Sequence, residues 1–427
     1  MKKKPRILII STRDKQGGAA RAAYRLHQSL LGIGIDSYML VLSKISNDKR
    51  VIAPETKKDM ILAKLMPSIN NLFIEIISGK KDRRVFSASY SMYSVYSKIE
   101  KIAPDIVNLH WVGDGFLSMK ELKKINVPIV WTLHDMWAFT GGCHYVMECK
   151  NYMAKCGYCE ALESNKEKDL SRRLFMDKQK TYANSNITVV PLSQWLAKCA
   201  KQSSLFFDKE IRVIPNPIDQ TVYKPLEKLA ARRLLNLPIE KKLVFFGAMK
   251  QSSPIKGFKK LEQAICKLPA DKFELVILGA SEPQTAFEER HKVHYLGQLS
   301  DDISLVAAYS AADVMVVPSL YENLSNVIME SLACGTPVTA FDIGGNSDMI
   351  IHRENGYLAY PYDTDDLAFG INWVTEDKCR HDKLRQTARE SVIKKYSPKI
   401  VAESYLSLFE EKLNLHRKIS LAEDGIH

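Results

Sequence analysis

The chain has 427 residues, too many for one ordinary hydrophobic core, so two domains of roughly 200 residues each are expected. Its 46% hydrophobic and 26% charged residues fit a soluble globular protein, and no proline-, glycine- or serine-rich tract marks a long disordered segment. A formal charge of +12 and a sequence pI of about 9.1 favour acidic partners: phosphorylated substrates, anionic lipid or nucleic acid.

The opening Met1-Lys2-Lys3-Lys4-Pro5-Arg6 is basic, and the apolar run from Ile7 to Ile10 is too short for a signal-peptide core. A cytoplasmic protein is expected. Arg6 to Ser11 reads as a buried parallel strand. Gln16-Gly17-Gly18-Ala19-Ala20 then leads into a helical pattern through Leu30. Glycines there let a backbone approach a phosphate or sugar closely, although the third spaced glycine of the dinucleotide fingerprint is missing. Met60 to Ser78 is the most apolar helix-like stretch, and Lys64, Pro67, Asn70, Asn71 and Glu75 make it a poor membrane span. It is read as a helix packed on the protein itself, with contact to a membrane surface or a lipid acceptor as the alternative.

Ile106 to His110 and Ile129 to Leu133 read as strands, with a short helix from Lys120 to Ile125 between them. His110-Trp111 and His134-Asp135 follow those strands. A histidine there is ordinarily a hydrogen-bonded structural group, while an aromatic face suits sugar rings and lipid alike. Cys143, Cys149, Cys156 and Cys159 crowd into the next segment. Cys156-Gly157-Tyr158-Cys159 has the short spacing used for zinc, but the first pair is wider than the common pattern and His144 offers a competing ligand. A structural zinc, free thiols and disulfides are the readings, in that order, because a cytoplasmic compartment disfavours disulfides. Asn186 to Pro191 is another strand, and Ser193 caps a helix.

The two prolines of Ile211-Arg212-Val213-Ile214-Pro215-Asn216-Pro217 mark a domain linker. A second series follows: strands at Leu243 to Gly247, Phe273 to Gly279, Asp313 to Pro318 and Pro337 to Phe341, with helices at Phe258 to Leu268, from Ser300, and at Ser325 to Ala333; His294-Tyr295-Leu296-Gly297 stands before the helix from Ser300. Strands alternating with helices imply two parallel sheets. Ligands are then expected at the carboxyl ends of the strands, in a cleft between the domains. The basic residues are spread without a basic-aromatic module, so nucleic acid is not an expected partner.

The densest signal is Pro318-Ser319-Leu320-Tyr321-Glu322-Asn323-Leu324-Ser325-Asn326. A buried strand ends, a polar loop carries a carboxylate, and a helix opens. Free N–H groups at a helix start suit a diphosphate, and Glu330 inside the helix can accept hydrogen bonds from a vicinal diol such as ribose. Either glutamate alone could be a solvated acid near a helix N-terminus. Together with Ser331-Leu332-Ala333-Cys334-Gly335-Thr336-Pro337-Val338, Asp342-Ile343-Gly344-Gly345-Asn346 and Asn355-Gly356-Tyr357-Leu358, the spacing from Glu322 to Glu330 resembles the signature of the family 4 retaining glycosyltransferases, including bacterial capsular and exopolysaccharide glycosyltransferases. The resemblance covers essentially the whole chain, most strongly its second half.

That resemblance implies an α/β GT-B fold, with two Rossmann-like, doubly wound domains facing across a cleft. Residues 1–210 would bind acceptor, 211–395 the nucleotide sugar, and 396–427 would form a helix crossing back, running to about Leu413. It implies that Glu330 binds the donor ribose and that Glu322 lies beside the donor sugar. Amides around Leu324, Ser325 and Asn326 would hold phosphate and sugar. Gly247 and Lys256 would face the diphosphate, with Ala248 where the family has an arginine and Lys250 as a substitute cation. Gly279, Gln298 and Leu299 would form the base-binding edge. Gly17 and Gly18 would lie near diphosphate and acceptor, His134 near the transferred sugar, and His110, Trp111 and Asp135 on the acceptor side. Glu322, Lys256 and His134 form the implied catalytic set. No cofactor is expected beyond the nucleoside diphosphate sugar. No metal-binding Asp-x-Asp is expected, since Asp301-Asp302 and Asp365-Asp366 are adjacent pairs read as helix starts, which argues against a metal-dependent GT-A enzyme. The implied acceptor is a saccharide, free or polyprenyl-diphosphate-linked, and the basic surplus suits the anionic inner face of a membrane. An inactive partner subunit, an epimerase and a phosphorylase are the alternatives; no pyridoxal-lysine site for a phosphorylase is recognisable.

Overall fold

The computed structural model describes residues 4–78, 86–247, 254–279, 288–299 and 301–424. The chain divides into two compact units, Met1–Pro217 with Lys399–His427, and Ile218–Pro398.

In the first unit, β1 (Arg6–Ile10), β2 (Asp36–Leu40), β3 (Val51–Ile52), β4 (Ile106–Leu109), β5 (Ile129–Leu133) and β6 (Ile187–Pro191) form one sheet in the order β3-β2-β1-β4-β5-β6. Every neighbouring pair is parallel. Short β-branched runs suit strands covered on both faces, and β4, β5 and β6 are buried throughout. The helix Gly18–Gly32 packs Ala23, Leu26 and Leu30 against Ile7, Ile9 and Met39. The last helix, Pro398–Asp424, adds Val401, Ala402, Tyr405 and Phe409 to the same core. The buried Tyr405 hydroxyl shares a 3.0 Å hydrogen bond with Thr132 on β5. No proline or glycine stands between Leu413 and Asp424, and the helix continues to Asp424. The proline-bearing segment from Ile211 stays with this unit: Arg212 N–H donates to Val189 O at 3.0 Å, and Ile214 N–H to Pro191 O at 3.3 Å.

In the second unit, β7 (Lys242–Gly247), β8 (Phe273–Leu278), β9 (Val293–Tyr295), β10 (Val314–Val317), β11 (Val338–Phe341) and β12 (Gly356–Ala359) pair in parallel in the order β12-β11-β10-β7-β8-β9. Each sheet therefore reverses its strand order once, between β1 and β4 and between β7 and β10. Ligands of doubly wound sheets bind outside the carboxyl ends of strands at such switch points. The segments leaving those four strands carry Gly17-Gly18, His110-Trp111, Gly247 and Pro318 to Ser325.

The helix Lys57–Ser78 packs on the first unit along one side: among its described side chains Met66, Asn70 and Ile74 are buried, while Ile61, Leu65, Leu72 and Ile76 are exposed. Apolar residues stand on both sides of this helix, and the adjoining protein surface covers one side.

Candidate functional site

In the second unit, the chain leaves β10 through Pro318 to Ser325 and enters the helix Asn326–Ala333, with Ser325 at the N-cap in extended conformation. That placement leaves the amides at the helix start as the ones with no partner inside the helix. Leu324 is buried beside them. Glu330 lies one turn in, with its carboxylate fully buried; Oε2 accepts the Tyr309 hydroxyl at 2.9 Å from the helix Asp302–Ala311.

Glu322 stands before the helix. Its Oε2 accepts Lys256 Nζ at 2.7 Å and Ser319 Oγ at 3.2 Å. The Lys256 side chain is 40% exposed and that of Glu322 12%. An ion pair this open contributes about 0–1 kcal/mol to stability, so the pair is not explained as a structural brace. It holds an ammonium and a carboxylate side by side at the carboxyl edge of the sheet.

Two glycines make this proximity possible. Gly257, φ 69°, follows Lys256, and a Cβ there would stand 1.8 Å from Pro318 O. Gly344, φ 55°, presses on the other side of the loop, where a Cβ would stand 1.9 Å from Glu322 O. Leu320 N–H donates to Ile255 O at 2.7 Å, and Gly345 N–H to Glu322 O at 3.2 Å. Three loops thus close on one another through main chain, and the Gly344-Gly345 motif serves backbone approach rather than flexibility.

Gly247 ends β7 at the switch point, while Ala248 and Lys250 lie outside the described residues. Gly279 N–H donates to Gly297 O at 2.9 Å, which places Gln298 and Leu299 at the end of the β8–β9 edge, away from the switch point in strand order.

In the first unit, Gly17 caps the helix Gly18–Gly32 with φ 96°, and Gly18 opens it. On β4, Asn108 Nδ2 donates to Val130 O at 2.9 Å and Thr132 Oγ1 at 3.0 Å. Its Oδ1 is left to accept His110 Nε2 at 3.1 Å. His110 Nδ1 must then be the acceptor in its 2.8 Å contact with His134, so His134 donates from Nε2 and carries its lone pair on Nδ1. Both rings are neutral. Burial pushes His134 down to about 4 against the pull of Asp135, and burial followed by His134 drives His110 well below its ordinary value.

Asp135 gathers the rest. Oδ2 accepts Trp111 Nε1 at 3.0 Å and His144 Nδ1 at 2.7 Å, and Oδ1 accepts Trp137 N–H at 2.8 Å. Burial raises this carboxyl, but the charge and hydrogen bond of His144 and the Trp137 amide together outweigh it and hold it below the ordinary range. His144 also stacks on Trp111, with centroids 5.8 Å apart. His110, Trp111, His134, Asp135 and Trp137 line a small cavity. His144 is therefore a member of the Asp135 cluster, and its Nε2 meets Ser87 Oγ at 2.8 Å.

The buried histidines have a pH consequence. His27 is also pushed down to about 4 by burial. In the unfolded chain these rings titrate near about 6.5, so below that pH the unfolded state binds more protons. Tm is expected to hold above about pH 6.5 and to fall as pH drops from about 6.5 toward 4. Differential scanning calorimetry reads this, and a Tm constant across that window contradicts neutral burial.

The structural zinc expected at Cys143, Cys149, Cys156 and Cys159 is not what this geometry builds. Among the described residues no group of three or more His, Cys, Asp or Glu gathers to hold a metal ion, and all four cysteines are free. Cys143 and Cys159 pair with each other, and Cys156 Sγ accepts Gly141 N–H at 3.2 Å. The bond to Cys159 and then burial hold the Cys143 thiol well up, the same bond lowers Cys159, and burial raises Cys156 to about 11. Asp363-Thr364-Asp365 has the Asp-x-Asp spacing of some metal sites but forms a helix cap: Asp363 Oδ1 accepts the amides of Asp365 at 2.9 Å and Asp366 at 3.1 Å. Asp301 likewise caps the helix Asp302–Ala311.

Comparison with known proteins agrees with this architecture. Residues 16–222 match the family model Glycosyltransferase Family 4, and residues 240–377 the model Glycosyl transferases group 1. The chain is 25% identical over 351 residues to the putative colanic acid biosynthesis glycosyl transferase WcaC of Escherichia coli (strain K12), across 78% of this chain and 82% of WcaC. The fold is similar to that of sucrose-phosphate synthase from Thermosynechococcus elongatus, with a TM-score of 0.68, 20% identity, and 96% and 99% of the two chains covered. It is also similar to Anabaena Alr3699/HepE, solved with UDP-glucose, with a TM-score of 0.60, 16% identity, and 96% and 99% covered. With two parallel doubly wound sheets and a glycosyltransferase module matched in each half, the chain belongs to the glycosyltransferases of GT-B type.

Proposed function

We propose that this enzyme moves a sugar from a nucleoside diphosphate sugar to a saccharide, free or polyprenyl-diphosphate-linked, in bacterial surface-polysaccharide synthesis. We include in that reading retention at the anomeric carbon, no catalytic metal, and a cytoplasmic site of action. The observation that carries it is the Lys256–Glu322 pair at the mouth of β10, beside the start of the helix that buries Glu330. WcaC, by its name, supports the surface-polysaccharide assignment, and the UDP-glucose complex of HepE supports the donor class.

Each group has a role set by its chemistry. Glu330, oriented by Tyr309, accepts hydrogen bonds from the ribose diol. The amides from Leu324 to Asn326 face the diphosphate, where a helix N-terminus favours negative charge. Lys256 neutralises that diphosphate as it leaves. Glu322 then positions sugar hydroxyls and stabilises the positive charge that grows at the anomeric carbon. The bond from that carbon to the diphosphate oxygen breaks, the acceptor oxygen bonds on the same face, and the departing diphosphate takes the acceptor proton. In the first unit, His134 lies near the transferred sugar, and His110 with Asn108 fixes its tautomer. Trp111 and Asp135 supply an aromatic face and a carboxylate for a saccharide.

The test is nucleotide release from a panel of UDP- and GDP-sugars, with and without saccharide acceptors. Acceptor-stimulated release supports the proposal; nucleotide binding with no turnover on any pair indicates a partner subunit instead. Tyr309→Phe is expected to remove about 1 kcal/mol of support from Glu330 and raise the Kd for the nucleoside diphosphate roughly five-fold by titration calorimetry. An unchanged Kd removes Glu330 from the ribose site.

A further inference from the structure

We infer that the exposed face of the helix Lys57–Ser78 docks this enzyme on the surface of an anionic lipid bilayer. Ile61, Leu65, Ile69, Leu72 and Ile76 recur at spacings of three and four, so they form one stripe along the helix. All five are exposed, Ile76 at 73%. Met92 continues the apolar surface: it is exposed, and its N–H meets Met66 Sδ at 3.2 Å beneath the helix.

The opposite face decides between lying on a membrane and crossing it. By length and composition the helix could cross. Met66, Asn70 and Ile74 are buried in the first unit, however, and Asn70 Nδ2 donates to Tyr90 O at 2.7 Å. Close packing reinforces this seat, since a Cβ on Gly115 would stand 2.2 Å from Asn70 Nδ2. Insertion across a bilayer would strip those contacts and carry Lys64, Asn70, Asn71 and Glu75 into hydrocarbon. The helix therefore lies in the interfacial plane with its outer stripe down.

Charge selects the occupant. Lys57, Lys58 and Lys64 are exposed on the helix. Of the two acids in the helix, Asp59 is paired with Lys98 at 2.8 Å. A basic margin around an aliphatic stripe matches acidic headgroups over acyl chains. Two copies of this face would instead bring like charges together, on chains that each carry +12.

The experiment is flotation of the full chain with vesicles of phosphatidylcholine alone or with one third phosphatidylglycerol, beside Leu65→Glu/Leu72→Glu. These side chains are exposed, so the variant is expected to keep its circular dichroism, its Tm and its nucleotide release with a soluble acceptor. Binding to the anionic vesicles is expected to exceed that to neutral ones by about tenfold or more, to fall in high salt, and to drop about tenfold in the variant. Equal flotation of both proteins, or protein retained after high salt and alkaline carbonate, overturns the proposal. So does a dimer, seen by sedimentation without lipid, that the variant abolishes. Because the readout is lipid binding, its failure leaves the sugar-transfer reading untouched.

Discussion

Glu322→Ala lowers the rate of sugar transfer by about 10²–10³-fold and leaves the protein folded; this is the expected result. The carboxylate accepts from Lys256 and Ser319, and neither partner depends on it for burial: Lys256 is 40% exposed, and a serine hydroxyl can turn. The stability change is therefore small, within about 1 kcal/mol. The kinetic change is large because charge develops at the sugar only in the transition state, where a preorganised carboxylate acts most strongly. Nucleoside diphosphate affinity is expected to hold or tighten slightly, since Lys256 loses its competing anion. Lys256→Ala divides differently, raising the donor KM as well as lowering kcat. If Glu322→Ala keeps its rate within about three-fold, this pair is not the reacting centre.

Gly344→Ala is expected to destabilise the enzyme by about 2–5 kcal/mol, lowering Tm by roughly 5–15 °C and abolishing donor binding. Two costs combine. The left-handed backbone at φ 55° is strained for any residue with a Cβ, and that Cβ would meet Glu322 O at 1.9 Å. A carbonyl oxygen cannot swing aside as a side chain can, so the loop bearing Glu322 must move. Gly257→Ala, facing Pro318 O at 1.8 Å, should behave alike. Gly297→Ala separates the terms: its φ of 63° carries similar strain, but no atom lies within 4 Å of its Cβ. It is expected to cost only about 1–2 kcal/mol. Equal Tm losses at Gly344 and Gly297 would refute the three-loop closure.

The parts of the molecule legible in the sequence are those whose logic is local. β5 runs from Ile129 to Leu133 as its β-branched run implies, and Ser193 caps the helix Gln194–Gln202 through Leu196 N–H. The arrangement of Glu322, the helix start and Glu330 was readable because they lie within one short segment. Their partners were not readable. Tyr309 is brought to Glu330 by packing between two helices, which no spacing reports, and the resemblance that named Lys256 gave no ion pair with Glu322. The helix Leu170–Tyr182 escaped for another reason. Its inner face carries Lys178, buried with a hydrogen bond to Thr140 O at 3.0 Å, and a lysine among Leu170, Leu174, Phe175 and Tyr182 breaks the apolar period. The cysteine spacing suggested a metal, but spacing does not fix how side chains converge, and among the described residues no group of three or more metal-ligating side chains gathers. At Lys57–Ser78 the apolar pattern was legible, but which side the protein covers was not.

The central claim, transfer from a nucleoside diphosphate sugar with retention, is tested most directly by one proton NMR time course on the full chain with donor and saccharide acceptor. The predicted result is loss of the donor anomeric signal, equal growth of a glycoside signal of the same anomeric configuration, and silence in Glu322→Ala. A product of inverted configuration, or equal turnover in that variant, would contradict the account.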